Sequence, residues 1–323
     1  MTTRRRFLQW TGAALAAPVM PQPAFAQKWP VKPIRAIVPF SAGSTIDIIG
    51  RIVLDPLGAA LGQNIVVENR GGAGGTIGSA LVARAEPDGY TILIHAAAHS
   101  AAPAAYPHAP YNTSRDFSGV AIFGTVPNVT VIAPAKGIKT IQQLVDAAKK
   151  SSMTFASAGI GSATHWAAER LQLAAGFKAV HVPFRGGPEA LTEVMTGRVD
   201  FMSIGISSGL QLIRSGQLIP LAVSTLKRST ALPDVPTTIE AGYPDSDYTF
   251  WNGMLVPAKT PRAIVDRLHA EMQKVLRLPA VMEKFRPQGI EPMPLSPAEF
   301  DAMIRKEVAN NLAIVKAAGL KFN

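Results

Sequence analysis

The sequence predicts an α/β protein in which mostly parallel sheets carry helices on both faces. Two observations lead to this. From residue 34 onward, short apolar runs alternate with segments of helical period, the pattern of successive βαβ units. The chain has 323 residues and no internal repeat, a length that suits one large domain or two medium ones.

The elements follow in order. IRAIVPF at 34–40 reads as a buried strand. Ile46, Ile49, Val53, Leu57 and Leu61 recur at helical spacing, so a helix is expected over 45–61. NIVVEN (64–69) is a strand, 76–85 a helix and YTILIH (90–95) a strand. NVTVIAP (128–134) is a further strand and precedes a helix at 140–150. MTFAS (153–157) leads into a helix over 162–175, and AVHVPF (179–184) into one over 188–197. VDFMSI (199–204) and IPLAVST (219–225) are strands. Two amphipathic cover helices close the chain. One has Thr260 as cap and Pro261 at its first position; the other has Ser296 and Glu299 in capping-box register and Gly319 as its stop. Right-handed crossovers set the side on which each helix packs.

The N-terminus has the three-part layout of an export signal. Arg4 and Arg5 precede Phe7 and Leu8, small apolar residues fill 11–20, and Ala24-Phe25-Ala26 is a small-residue cleavage pattern. The paired arginines resemble the twin-arginine type. The apolar run is too short to span a bilayer as a helix. The expectation is a periplasmic chain, mature from about Gln27, with 323 − 26 = 297 residues. Losing three arginines lowers the net charge from +10 to +7. That charge is scattered rather than gathered on one helix, which argues against nucleic acid and for a mild attraction toward anions. There is no cysteine, which excludes thiol nucleophiles and Cys-based zinc sites.

Three glycine-bearing segments compete as sites. In NRGGAGGTIG, Gly72 and Gly74 fit the first places of a dinucleotide fingerprint, but Ile77 stands where the third glycine belongs. A turn or a close-packing role is the preferred reading. VPFSAGSTID (38–47) runs from the first strand into the first long helix. Ligands of open α/β sheets bind beyond the carboxyl ends of strands, and helix N-termini attract anions. Phe40, Ser41, Ala42, Gly43, Ser44, Thr45 and Asp47 are therefore candidates, with a Ser44–Asp47 capping box as the alternative. SAGIGSATH (157–165) repeats the layout, so Ser157, Gly159, Gly161, Ser162, Thr164 and His165 form a second set. One such loop in each half suggests an anion held between two lobes.

These segments resemble the solute-binding proteins of the tripartite tricarboxylate transporter family, the Bug proteins. The resemblance rests on IRAIVPFSAGSTIDIIGR, VVENRGGAGGTIGSALVARAEPDGYTILI, SAGIGSATHWAAERL, VHVPFRGGPEAL, GRVDFM and LAVSTLKRSTALPDVPTTIEAGYP, in that order. It implies a Venus-flytrap receptor with a two-strand hinge, one small carboxylate ligand, and delivery to a membrane permease. It also implies that the two loops line the cleft. Lobe one is then 27–130 plus 251–323, and lobe two 131–250. The receptor is expected to be a monomer with no cofactor. Many relatives have two glycines where this chain has Gly43 and Ser44, and a more polar residue in the stretch Ser203-Ile204-Gly205.

An enzyme alternative exists. Gly205, Ser207 and Gly209 form G-x-S-x-G after a strand, the context of a serine hydrolase elbow, with His269 further on. His269 reads as a helix-surface residue instead. His95 and His99 are four apart, but no His-Glu-x-x-His and no metal-ligand cluster occurs. His165 and His181 are expected to be satisfied locally, and Phe250 and Trp251 to pack in the core or stack on a ligand.

Overall fold

The computed structural model describes residues 29–248 and 250–318; the export signal read at 1–26, Gln27 and the stop at Gly319 lie outside them. The elements are β1 (Ile34–Val38), α1 (Thr45–Leu61), β2 (Ile65–Asn69), α2 (Thr76–Ala83), β3 (Thr91–Ala96), α3 (Ala98–Ala105), β4 (Phe117–Val126) and β5 (Asn128–Ile132). They continue with α4 (Ile141–Lys150), β6 (Thr154–Ser157), α5 (Ala163–Ala175), β7 (Val180–Pro183), α6 (Gly187–Met195), β8 (Phe201–Gly205), α7 (Ile206–Arg214) and β9 (Ile219–Val223). The chain then enters β10 (Phe250–Pro257), followed by α8 (Arg262–Val275), α9 (Pro279–Phe285) and α10 (Pro297–Ala318).

Two five-stranded sheets form, in orders β2-β1-β3-β10-β4 and β7-β6-β8-β5-β9. In each, the fourth strand runs against the other four, because β10 pairs antiparallel with β3 and β4, and β5 with β8 and β9. The reversed strand is in each case the one entered from the other sheet. Only Pro127 separates β4 from β5, and residues 224–249 separate β9 from β10. Strand β5 pairs along its whole length in the second sheet, so Pro127 is the residue between the two sheets at this crossing.

Each sheet is covered on two faces. Phe155 and Phe201 join the cluster with Ile141, Leu144 and Leu171 from α4 and α5. Their neighbours Ala156 and Met202 join the cluster with Leu191 and Leu210 from α6 and α7. That period of two follows from the pleat. Burying each large side chain contributes about 1.5–3 kcal/mol. Ile37, Ile49, Leu57 and Trp251 belong to the core of the first sheet.

Helices α3 and α9 and strand β4 escape the sequence reading. Helix α3, AHSAAPAA, is small and largely buried, so it shows no polar face to set a period. Strand β4 is ten residues with no alternation, because it is buried almost throughout. The cap of α8 is corrected too. Pro261 is the N-cap, with φ −52° and ψ 134°, and the Thr260 hydroxyl is buried without a hydrogen-bond partner. The box before α10 forms: Ser296 N donates to Glu299 Oε2 at 2.8 Å, and Glu299 N to Ser296 Oγ at 3.3 Å.

The glycine segment at 71–75 is a tight turn at a crowded place. Gly74 has φ 61°, and a Cβ there would overlap the Ile160 carbonyl of the second sheet's loop. A side chain is excluded by protein backbone, not by a phosphate.

Candidate functional site

The first loop leaves β1 and enters α1. Asp47 holds it in place from inside: its carboxylate accepts Gly43 N at 2.9 Å, Asn69 Nδ2 at 2.9 Å and Arg51 Nε at 3.0 Å. Burial opposes the charge of Asp47, but the bonds from Arg51, Gly43 and Asn69 outweigh it and hold the carboxyl below its ordinary range. Ser44 N donates to Ser41 O at 3.1 Å, closing the turn. The Ser44–Asp47 capping box does not form. The N-cap Ser44 makes no side-chain cap bond, and its buried Oγ has no partner. The amides of Thr45 and Ile46, in the first turn of α1, have no intrahelical carbonyl to reach.

The second loop is stiffened differently. Ser162 caps α5 by accepting His165 N at 3.3 Å, and its hydroxyl lies 3.0 Å from Thr164 Oγ1, which accepts Ala158 N at 2.8 Å. Gly161 N donates to His165 Nδ1 at 3.0 Å. Ser157 Oγ lies 2.6 Å from His181 Nε2, and the His165 and His181 rings stack at 4.0 Å and 7°. Burial, with the neighbouring His165, pushes His181 down to about 3, so its ring is neutral.

The two loops meet across a buried cavity of about 30 Å³. Of the predicted residues, Phe40, Ser44, Thr45, Ser162 and Thr164 line it. Ser41, Ala42, Gly43, Asp47, Ser157, Gly159, Gly161 and His165 do not; they shape the loops behind it. Ile46, Ala158 and Ala163, within the two loops, and Phe250, read as a core or ligand-stacking residue, join the lining; the sequence reading missed Ala96, Ala98, Gly187 and Ile204, which complete it. One signal could have found two of them: Ala96 and Ile204 stand at or beside the carboxyl ends of β3 and β8, where ligands of such sheets bind.

Four helices begin at this cavity. Thr45, Ala98, Ala163 and Gly187, the first residues of α1, α3, α5 and α6, all line it. Each helix start carries about half a positive charge. No charged side chain lines the cavity.

Contacts between the sheets' loops close the seam around it. Thr45 Oγ1 lies 2.9 Å from Ser208 Oγ, Ser41 Oγ donates to Glu189 Oε1 at 3.3 Å, and Tyr106 OH donates to Ile160 O at 3.0 Å. Glycines allow this approach. A Cβ at Gly186 would overlap Ser41, and one at Gly205 would overlap Thr45.

The hydrolase alternative finds no support in the geometry. A nucleophilic serine needs a base within hydrogen-bond reach. Ser207 Oγ is buried without a partner, and His269 Nδ1 is engaged 2.7 Å from the Val120 carbonyl beside the first sheet. His95 and His99 pack edge-on with Phe40 and Phe117 inside the first core. Burial pushes both below their ordinary value, His99 to about 3. Among the described residues no group of three metal-ligating side chains occurs. Trp251 is fully buried, with Nε1 donating to Glu307 Oε2 at 2.8 Å, whereas Phe250 is a wall of the cavity.

Comparison with known proteins places these features in context. A model described as the tripartite tricarboxylate transporter family receptor matches residues 49–320. A protein encoded in the tcbD-tcbE intergenic region of Pseudomonas sp. (strain P51) is 39% identical over 266 residues, 81% of this chain and 79% of its own. Protein BugT of Bordetella pertussis is 32% identical over 323 residues, 98% of both chains. The periplasmic binding protein BugD superposes with a TM-score of 0.87 at 34% identity, covering 91% of this chain and 99% of its own. A protein of R. palustris solved with adipate gives 0.87 at 28% identity, over 91% and 99%. MatC from Rhodopseudomonas palustris, solved with bound malate, gives 0.84 at 29%, over 88% and 99%.

Proposed function

The chain belongs to the tripartite tricarboxylate transporter receptor family, and on that premise we propose that it captures a small carboxylate in the periplasm, between two lobes, for a tripartite-type membrane permease. Membership makes it a solute-binding protein with the two-lobed fold of its relatives. The observation that carries the ligand class is the convergence of four helix N-termini on one cavity without a charged side chain. Such a field favours an anion, and unpaired amides supply directional donors for carboxylate oxygens. The buried, unpartnered Ser44 hydroxyl adds a fifth donor. Relatives solved with adipate and malate support the same class.

The cycle is capture, closure and docking, with no bond chemistry. At about 30 Å³ the cavity has room for roughly two waters, so an acid of several carbons enters with the loops further apart. Closure follows from contacts that the ligand makes to both loops only when they approach. The lobes turn about the passes at Pro127 and 244–248; of the described residues the first lobe carries 29–126 with 250–318, the second 128–243. The receptor acts as a monomer after export through its twin-arginine-like signal.

Calorimetric titration of the chain from Gln27 onward with small carboxylates and their amides tests this. Binding of an acid with loss of at least tenfold affinity in its amide is the expected result. Equal binding of acid and amide removes the anion cleft.

A further inference from the structure

A second cavity, of about 370 Å³, lies where the chain passes from the second sheet into the first. That volume falls within the range of small-molecule sites, about 300–1,000 Å³. It shares no lining residue with the carboxylate cavity; Ala97 lines it, while Ala96 and Ala98 on either side line the other. Its walls have three origins. Glu307 and Asn311 stand on α10, whose Phe300 and Ile304 join the core of the first sheet. Asp247 and Tyr248 belong to the pass, and Arg170 stands on α5, whose Leu171 packs against the second sheet.

The charges around this cavity do not cancel. Arg170 Nη2 donates to the Asp245 carbonyl at 3.1 Å and lies 3.9 Å from the Asp247 carboxylate. Glu307 has no such partner. Its Oε2 accepts the Ser100 hydroxyl and, at 2.8 Å, Trp251 Nε1, and both donors are neutral. Burial pushes its carboxyl above the ordinary range, and no cation among the described residues acts to lower it. A desolvated carboxylate without a counter-charge is costly, and a cation beside it removes that cost. Ala97, Ala313 and Ile314 supply apolar wall around it.

We infer that this cavity is a second binding site, for a small organic cation: one ammonium or guanidinium to pair with Glu307, on a short apolar body. Both sheets and the pass wall the site, so the cation makes all its contacts only in the arrangement seen here, with the seam between the loops closed. Binding therefore favours the approach of the two sheets. This goes beyond the carboxylate reading and does not depend on it.

Calorimetry on the chain from Gln27 onward tests the site with n-butylammonium chloride against 1-butanol, which has the same body and no charge. Saturable binding of n-butylammonium, at least tenfold tighter than the alcohol, is expected. No binding of the cation, or equal binding of the alcohol, overturns the inference. Glu307→Gln keeps an acceptor for Ser100 and Trp251 but loses the charge, so it should bind the cation at least tenfold more weakly; a folded variant of unchanged affinity overturns the pairing. Should that variant not fold, Ala313→Trp, at an exposed position of α10, fills the cavity instead. It should weaken the cation at least tenfold, and unchanged affinity counts against the cavity. Small-angle scattering reads the effect on the sheets. The parent should contract with n-butylammonium, and binding without contraction overturns the claim that the cation favours their approach.

Discussion

Ser44 shows how a single side chain separates ligand binding from stability. Its Oγ is buried without a partner, so removing it leaves no protein group unsatisfied. Ser44→Ala is expected to melt within about 0.5 kcal/mol of the parent, yet to bind carboxylate about fivefold more weakly, the worth of one hydrogen bond. Parallel urea melts and titrations check both halves; unchanged affinity would take Ser44 out of the ligand's shell. His181 makes a different prediction. Its ring titrates at about 3 in the fold against an ordinary 6.5, because burial and His165 disfavour its charge. Below 6.5 the unfolded chain takes a proton that the fold does not. Stability present above pH 6.5 is therefore lost as pH falls toward 3, at up to about 1.4 kcal/mol per pH unit for this residue. His181→Gln should lose less stability than the parent between pH 6.5 and 4.5 in denaturant melts; parallel losses would rule the residue out. His99, also near 3, adds to the parent's loss in the same direction.

At the scale of elements, the sequence was most legible where periodicity and caps are local. The helix read at 45–61 coincides with α1, and the Ser296–Glu299 box forms before α10. Ser296→Ala is expected to cost about 1 kcal/mol, read as a lower melting midpoint with ligand affinity unchanged, since the cap is exposed and remote from the cavity lining. A loss of affinity in that variant would show that α10 couples to the site. Legibility failed where tertiary burial removes the pattern. Helix α3 has buried alanines around most of its circumference and Pro103 inside it, so neither period nor propensity marks it. At α8, Thr260 and Pro261 have the residue types of a cap and a first turn, but the proline takes an extended ψ of 134° and becomes the cap itself.

For the whole molecule, the loops of the two sheets can meet because glycines stand at their seam. Gly186 (φ −167°, ψ 170°) and Gly205 (φ −59°, ψ 130°) have backbone angles that alanine adopts without strain. Their lack of a Cβ matters across the seam, at Gly186 against Ser41 and at Gly205 against Thr45 and Phe250. Gly186→Ala and Gly205→Ala should therefore fold normally but stop short of full approach. Scattering should show a ligand-induced decrease in radius of gyration that shrinks or disappears, with affinity at least tenfold weaker. A variant that contracts and binds like the parent would mean that closure does not pass through this seam.

Local chemistry was enough to read the alternating strands and helices and the two loops at strand ends, because periodicity, caps and glycine spacing act over a few residues; the family was read from the resemblance of whole segments. The sequence alone could place Ser44 and Asp47 in one loop. It could not tell that Asp47 takes the Gly43 amide while Ser44 stays free, since that depends on Asn69 arriving from β2 beside the loop. Nor could it assemble the cavity. Phe250 and Ala96 become neighbours of Ile204 only because the reversed strands β10 and β5 enter sheets begun by other segments, and that order is set by long-range packing rather than by any local signal.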